Sequence, residues 1–222
     1  MKIVISLGGS VIVPDKIDVN FLKKFRKTIN RIRKGNKIVI VTGGGSTARK
    51  YIEVLRNEKI DEKILSYMGF RITKINGIFL SNFLGVKFAD NINEVKEFSR
   101  KNNLIVCGAL EFNSKGTSDG TSSKVARAIK ADVFVNITDV KGLYDKDPKK
   151  HKNAKLIPKI SFKDFNRVAN KIKFKAGQHF VLDQRSAKFI DKNRIKTIII
   201  KDINNLIKIV ENKKFTGTVI DG

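Results

Sequence analysis

Apolar residues along this chain fall into two rhythms that alternate from one end to the other. Short runs rich in β-branched residues, at 2–7, 38–41, 104–107, 132–138 and 197–200, are too brief for buried helices and predict strands inside a sheet. Between them the spacing changes to three and four. Phe21, Leu22, Phe25, Ile29 and Ile32 mark one helix, with Asp18 placed to cap it and Gly35 to end it. Ile64, Leu65, Met68, Ile72, Ile75, Phe79 and Phe83 mark a second, which Gly69 and Gly77 interrupt, so the pattern predicts a helix pair or a kinked helix. Further helices run through Val125, Ala126 and Ile129, through Ala187, Phe189 and Ile190, and through Leu206, Ile207 and Val210. Ser161 and Asp164 form a capping-box-like start, Ala176-Gly177 breaks the chain, and Asp202 stands where it can cap the last helix. A final run at 216–220 is placed to close the sheet. Repeated strand–helix–strand units imply an α/β fold with a mainly parallel sheet and helices on both faces. Ligands in such sheets gather at the carboxyl ends of the strands.

Two of those strand ends are unusual. Residues 38–41 lead through Thr42 into Gly43-Gly44-Gly45-Ser46-Thr47-Ala48-Arg49, and residues 2–7 end in Gly8-Gly9-Ser10. Glycines allow a sharp exit and remove every Cβ, so backbone N–H groups can close on an anion. Ser46 is the expected N-cap of the helix that follows, and Arg49 can fork onto the same phosphate. Either corner alone reads equally well as a tight turn; two in the first 50 residues look like paired phosphate cradles. Neither is a P-loop or a G-x-G-x-x-G turn. The polar stretch 113–123 crowds hydroxyls onto a helix start, and 138–148 is a turn-rich segment with an aromatic and several carboxylates; each also reads as a plain solvated loop.

Composition changes the picture in two places. The formal charge is +25, from 46 basic and 21 acidic residues, which suggests polyanionic partners. The lysines are scattered over nearly every helix and loop, so solvated surface is favoured over nucleic-acid binding, which needs a clustered face. The single cysteine, Cys107, excludes an internal disulfide and lies in an apolar run, as a buried thiol in a reducing cytoplasmic protein would. No run approaches the length of a membrane span. With 41% hydrophobic residues, 222 positions can bury one substantial core, in one domain or two joined lobes.

GGS at 8–10, GGGSTARKY at 43–51, TSDGTSSKVA at 117–126 and TDVKGLYDKDP at 138–148, in that order, resemble the amino acid kinase family over essentially the whole chain. Within it, the GGGSTARKYI form, the short length and KAGQHFVLD at 175–183 look most like archaeal-type uridylate (UMP) kinases. The resemblance implies a three-layer α/β/α sandwich as a single domain over 1–222, with an acceptor lobe over about 1–125 and an ATP lobe over about 126–222. It implies ATP contacts at Ser6, Leu7, Gly8, Gly9, Ser10, Gly45, Arg49, Thr138, Asp139, Tyr144 and Asp147. It implies UMP contacts at Gly44, Ser66, Phe112, Asn113, Ser114, Lys115, Gly116, Thr117 and Ser118. Arg49 and Asp119 are the implied catalytic pair, Mg²⁺ arrives with ATP and takes no protein ligand, and the chain is expected to form a homo-oligomer, a hexamer by resemblance. His151 and His179 receive no role.

The sequence departs from the family pattern at three points. Ser6 stands where many members carry a lysine, leaving Lys115 or Lys175 to supply the charge. Ser66 replaces an aspartate that binds the nucleoside, and Phe112-Asn113-Ser114-Lys115-Gly116 replaces a threonine, proline and glycine pattern. The expected activity is transfer of the γ-phosphate of MgATP to UMP. The alternatives are an enzyme of this fold with another small phosphate or carboxylate acceptor, and a diverged nucleotide- or RNA-binding protein without transfer.

Overall fold

The computed structural model describes residues 1–112, 117–171 and 182–222. Its elements run β1 (Lys2–Leu7), α1 (Gly9–Ile12), α2 (Val19–Ile32), β2 (Lys37–Thr42), α3 (Gly45–Asn57), α4 (Glu62–Leu84), β3 (Lys87–Ala89), α5 (Ile92–Lys101), β4 (Leu104–Cys107), α6 (Ser118–Ile129) and β5 (Val133–Ile137). They continue with β6 (Lys159–Ile160), α7 (Phe162–Lys171), α8 (Gln184–Asn193), β7 (Thr197–Ile200), α9 (Asn204–Val210) and β8 (Thr218–Ile220). The strands form one sheet in the order β3-β4-β2-β1-β5-β7-β8-β6, parallel throughout except where β8 meets β7. Residues before 108 build one half of it and residues after 132 the other, joined along β1 and β5.

Alternation along each strand assigns the two faces. Ile3, Ile5, Leu7, Ile38 and Ile40 pack under α2, α4 and α9 through Phe25, Ile29, Leu80 and Leu206. Val4, Val39, Val41 and Phe134 point the other way, into α5, α6, α7 and α8. Strands covered on both faces must be apolar at every position, which is why these runs carry no polar–apolar alternation. The three-layer sandwich implied by the motifs is therefore present. Cys107 is buried in the second layer, and loss of solvent pushes its thiol up to about 12, so it is unreactive at neutral pH.

Asp18 caps α2 by accepting a hydrogen bond from the Phe21 amide, as its position predicts. Asp202 accepts from the Asn204 amide at the start of α9, and Ser161 and Asp164 exchange hydrogen bonds at the start of α7. Ala176-Gly177 lies outside the described residues. Four elements carried no clear sequence signal: α1, β3, α5 and β6, of which β3 and β6 are edge strands of two or three residues. β8, expected to close the sheet, lies one strand in from that edge.

Of the two expected forms the helix pair does not occur, because α4 runs as one helix through both glycines. Gly77 is there for space: a Cβ on it would lie 2.6 Å from the Phe88 ring and 3.1 Å from both the Gly108 amide and the Thr42 hydroxyl. The helix thus lies directly on the ends of β2 and β4. Gly69 has only the Ile52 side chain near it, at 3.5 Å. Opposite outcomes are expected for the same substitution. Gly69→Ala should stabilise the fold by about 0.5–1 kcal/mol through helix propensity, whereas Gly77→Ala should destabilise it by about 1–3 kcal/mol through overpacking. Urea denaturation of the two variants reads both signs.

Candidate active site

Because β1 and β2 are adjacent and parallel, with Leu7 paired to Thr42, both glycine corners leave the sheet on the same rim. They are in backbone contact. A Cβ on Gly9 would fall 2.5 Å from the Gly43 carbonyl oxygen and closer still to the Gly45 amide nitrogen. One on Gly45 would fall 2.5 Å from the Gly9 carbonyl oxygen and 2.6 Å from the Ser10 amide. Gly45 also has φ +64°, a left-handed conformation that glycine adopts without strain.

Neither helix that starts here has a side-chain cap. Gly8 precedes α1 and Gly44 precedes α3, and no side chain accepts from their first amides. Elsewhere Asp18, Asp61, Asn91, Thr117 and Asp183 cap α2, α4, α5, α6 and α8. The first N–H groups of a helix have no internal acceptor, so the paired corners leave bare donors at one spot on the rim. The expected cap, Ser46, lies inside α3 instead, and its hydroxyl donates to the Val13 carbonyl. That bond ties α3 to the end of α1. Arg49 follows, exposed and without an ion pair among the described residues.

A third segment joins the corners. The Ser118 hydroxyl would lie 3.3 Å from a Cβ on Gly43. Asp119, in the first turn of α6, accepts a 3.1 Å hydrogen bond from the buried Ser6 hydroxyl, so residues 113 positions apart meet beneath the corners. Removal from water raises the Asp119 carboxyl to about 7, the nearby Asp183 charge adds to this, and the Ser6 hydroxyl opposes it. Asp183 takes two amides at the start of α8 on one oxygen and the Thr117 and Ser186 hydroxyls on the other.

Gly44 faces α4, near the Gly69 carbonyl and the Thr73 side chain. Ser66 lies one turn earlier on the same helix, half-buried, and Phe112 packs edge-on against Tyr67 and Phe70 beside it. Asn113, Ser114, Lys115, Gly116 and Lys175 lie outside the described residues, as does His179. Thr138 follows β5, the neighbour of β1 on the other side. Asp139 pairs with the Lys149 ammonium while Asp147 accepts from the Lys149 amide, so one lysine holds both carboxylates in the loop that also carries Tyr144. Ser6, Gly8, Gly9, Gly43, Gly45, Ser118 and Asp119 thus converge directly. Tyr144 and Asp147 sit farther along their loop, beyond Thr138.

Sequence reasoning passed over the residues that brace the corner. The Asn76 amide donates to the Gly43 carbonyl at 2.8 Å and the Gly44 carbonyl at 3.3 Å. The Thr42 hydroxyl donates to the Thr73 carbonyl, and the Ala109 amide donates to the Thr73 hydroxyl. Polar residues on the buried side of an otherwise apolar helix were the available signal. Among the described residues no three carboxylate, histidine or cysteine groups converge as a metal site, and no helix is long and apolar enough to cross a membrane.

The amino acid kinase family model matches residues 1–201 of the chain. A protein named uridylate kinase from Thermococcus kodakarensis is 33% identical over 227 residues, covering all of both chains. One of the same name from Pyrococcus abyssi is 35% identical over 225 residues, again covering both completely. The crystal structure of uridylate kinase from Archaeoglobus fulgidus superposes with a TM-score of 0.87 at 32% identity, covering 99% of this chain and all of that one.

The raised Asp119 carboxyl has a measurable consequence. Its folded-state value of about 7 lies above the ordinary 3.8, so ionisation is harder in the native state and stability falls as pH rises from about 4 to about 7. Asp119→Asn should flatten that part of the pH–stability curve and leave the variant more stable than the parent above pH ~7. An unchanged slope in the variant would show that another group titrates.

Proposed function

The chain belongs to the amino acid kinase family, and from that premise we propose that it transfers the γ-phosphoryl group of MgATP to UMP, giving UDP and ADP for pyrimidine nucleotide synthesis in the cytoplasm. The observation that carries this reading is the backbone contact between two uncapped glycine corners on one rim. Two phosphates bound at adjacent corners lie end to end, and holding the reactants in line is most of what phosphoryl transfer asks of a protein. The relatives named uridylate kinase match over their full lengths, which supports UMP as acceptor.

In this reading an oxygen of the UMP phosphate attacks the γ-phosphorus, a new P–O bond forms, and the bond to the β-bridging oxygen breaks as ADP leaves. The attacking oxygen is already anionic near neutral pH, so no strong base is needed. Amides of Gly9 and Ser10 hold the donor phosphates beside Gly8, whose own amide donates to the Ile137 carbonyl, with Ser6 and Leu7 behind them. Gly45 and Arg49 offset charge at the transfer point, and Gly44 holds the acceptor phosphate. Asp119, held by Ser6, orients the groups around the transferred phosphoryl. Thr138, Asp139, Tyr144 and Asp147 form the adenosine side, Ser66 and residues 112–118 the acceptor side, and the two halves of the sheet serve as acceptor and donor lobes. Mg²⁺ offsets phosphate charge when bound.

We further propose that the enzyme works as a homo-oligomer built on α3 and α4. Val54, Ile64, Ile75 and Ile78 stand about half or more exposed there, and residues 75–84 carry no charge in a chain of net +25. Two such copies repel one another least across an uncharged stretch such as 75–84, so a second copy is the partner this surface fits. Ile75→Lys with Ile78→Lys should lower the mass measured by light scattering; an unchanged mass would move the interface elsewhere.

Arg49→Ala should lower kcat/KM for ATP and UMP by about 100-fold or more while the melting temperature stays within about 2 °C, because the proposed partner of Arg49 is a ligand. Turnover of a different small acid or phosphate, with UMP inert, would overturn the acceptor assignment. Unfolding of the variant with activity per folded molecule intact would return Arg49 to a structural role.

A further inference from the structure

A cleft of about 810 Å³ opens between α2 and α9 at the rim of the sheet, on the face opposite α6 and α8. Lys24 and Lys27 line it from α2, Lys141 from the loop after β5, Lys201 from the end of β7 and Lys208 from α9. Among the described residues none of these five ammonium groups has an ion-pair or hydrogen-bond partner. Arg31 also reaches the cleft, but Glu211 holds it at 2.6 Å, and the one lining acid, Asp202, is occupied with the Asn204 amide. The volume is that of a small-molecule site. Like charges that converge on a concave surface destabilise one another and focus a positive potential into it.

A lysine-rich chain has basic grooves for trivial reasons, and another of about 410 Å³ is lined by Lys2, Lys37, Lys96, Arg100 and Lys130. There the Lys37 ammonium donates to the Ser99 and Arg100 carbonyls at the end of α5, so one of the five basic groups has work inside the fold. In the α2–α9 cleft the five ammonium groups have no such use. Phe21, Ile203 and Ile207 add an apolar wall. From these observations we infer that the cleft is a second anion site, separate from the glycine corners, that binds a chain of phosphates, either inorganic oligophosphate or the triphosphate of a nucleotide. Lys141 belongs to the 138–148 segment that also carries Tyr144, so an occupant pulls on the loop proposed to hold the donor nucleoside.

Hydrogen exchange of the full chain with inorganic tripolyphosphate tests the location. Protection of amides in α2 and α9 is expected. Protection confined to Gly8–Ser10 and Gly44–Arg49 would overturn the inference. Calorimetry then tests the residues: Lys27→Ala with Lys208→Ala should weaken tripolyphosphate by roughly tenfold, and Lys96→Ala with Lys130→Ala by less than about twofold. Equal losses from the two pairs would mean diffuse surface charge and no site. Equal affinity for tripolyphosphate and ATP at the cleft supports recognition of the phosphates alone, and tighter ATP supports a nucleoside seated on the apolar wall. Displacement of tripolyphosphate by single-stranded RNA at equal phosphate concentration, with protection spread beyond α2 and α9, would overturn a small-molecule site in favour of a nucleic-acid surface.

Discussion

The structure depends on two glycine segments that touch through their backbones. Gly9 lies against Gly43 to Gly45 with no room for a Cβ on Gly9 or Gly45, and this is possible only because β1 and β2 are neighbours in matched register. Any side chain at the contact would force the corners apart and separate whatever they bind. The N-caps of α1 and α3, Gly8 and Gly44, are glycines too and carry no capping side chain. The fold leaves bare amides on this rim and braces them from behind with Asn76, Thr73 and Thr42.

That bracing passes through α4, which makes one helix serve two surfaces. Its inner side meets the strand ends at Gly77 and the glycine corner at Asn76, and its outer side presents isoleucines to solvent. A helix apolar on both sides is soluble only if the outer face is covered or surrounded by charge. The rest of the chain supplies that charge in excess, so residues 75–84 of α4 stand out as a stretch without charge.

Charge is arranged with similar asymmetry elsewhere. Acid is scarce, and two aspartates, Asp119 and Asp183, sit together beneath the corners, where hydroxyls of Ser6, Thr117 and Ser186 take the place of cations among the described residues. One of the pair is pushed toward neutrality as a result. Unpaired lysines converge instead in the α2–α9 cleft. A net charge spread evenly along the sequence thus becomes uneven in space.

Most strands and helices were legible from the sequence because burial on both faces demands unbroken apolar runs, and helices that cover a sheet demand a three-and-four repeat. The glycine corners, Asp18 and the Ser161–Asp164 start were legible because local backbone chemistry dictates them. Short edge strands such as β3 and β6 were not, since so few residues carry no period. The sequence left open whether α4 was one helix or two because propensity penalises glycine, whereas contact with Thr42, Phe88 and Gly108 requires it at Gly77. Ser46 was misread for a related reason: its hydroxyl found the Val13 carbonyl, which only the folded chain brings within reach. By itself the sequence determined where two strands end in side-chain-free backbone and which faces are apolar. Only the tertiary structure decided that Ser6 meets Asp119, that Asn76 holds the corner and that five lysines share a cleft, because those contacts join segments whose separation along the chain carries no information about distance in space.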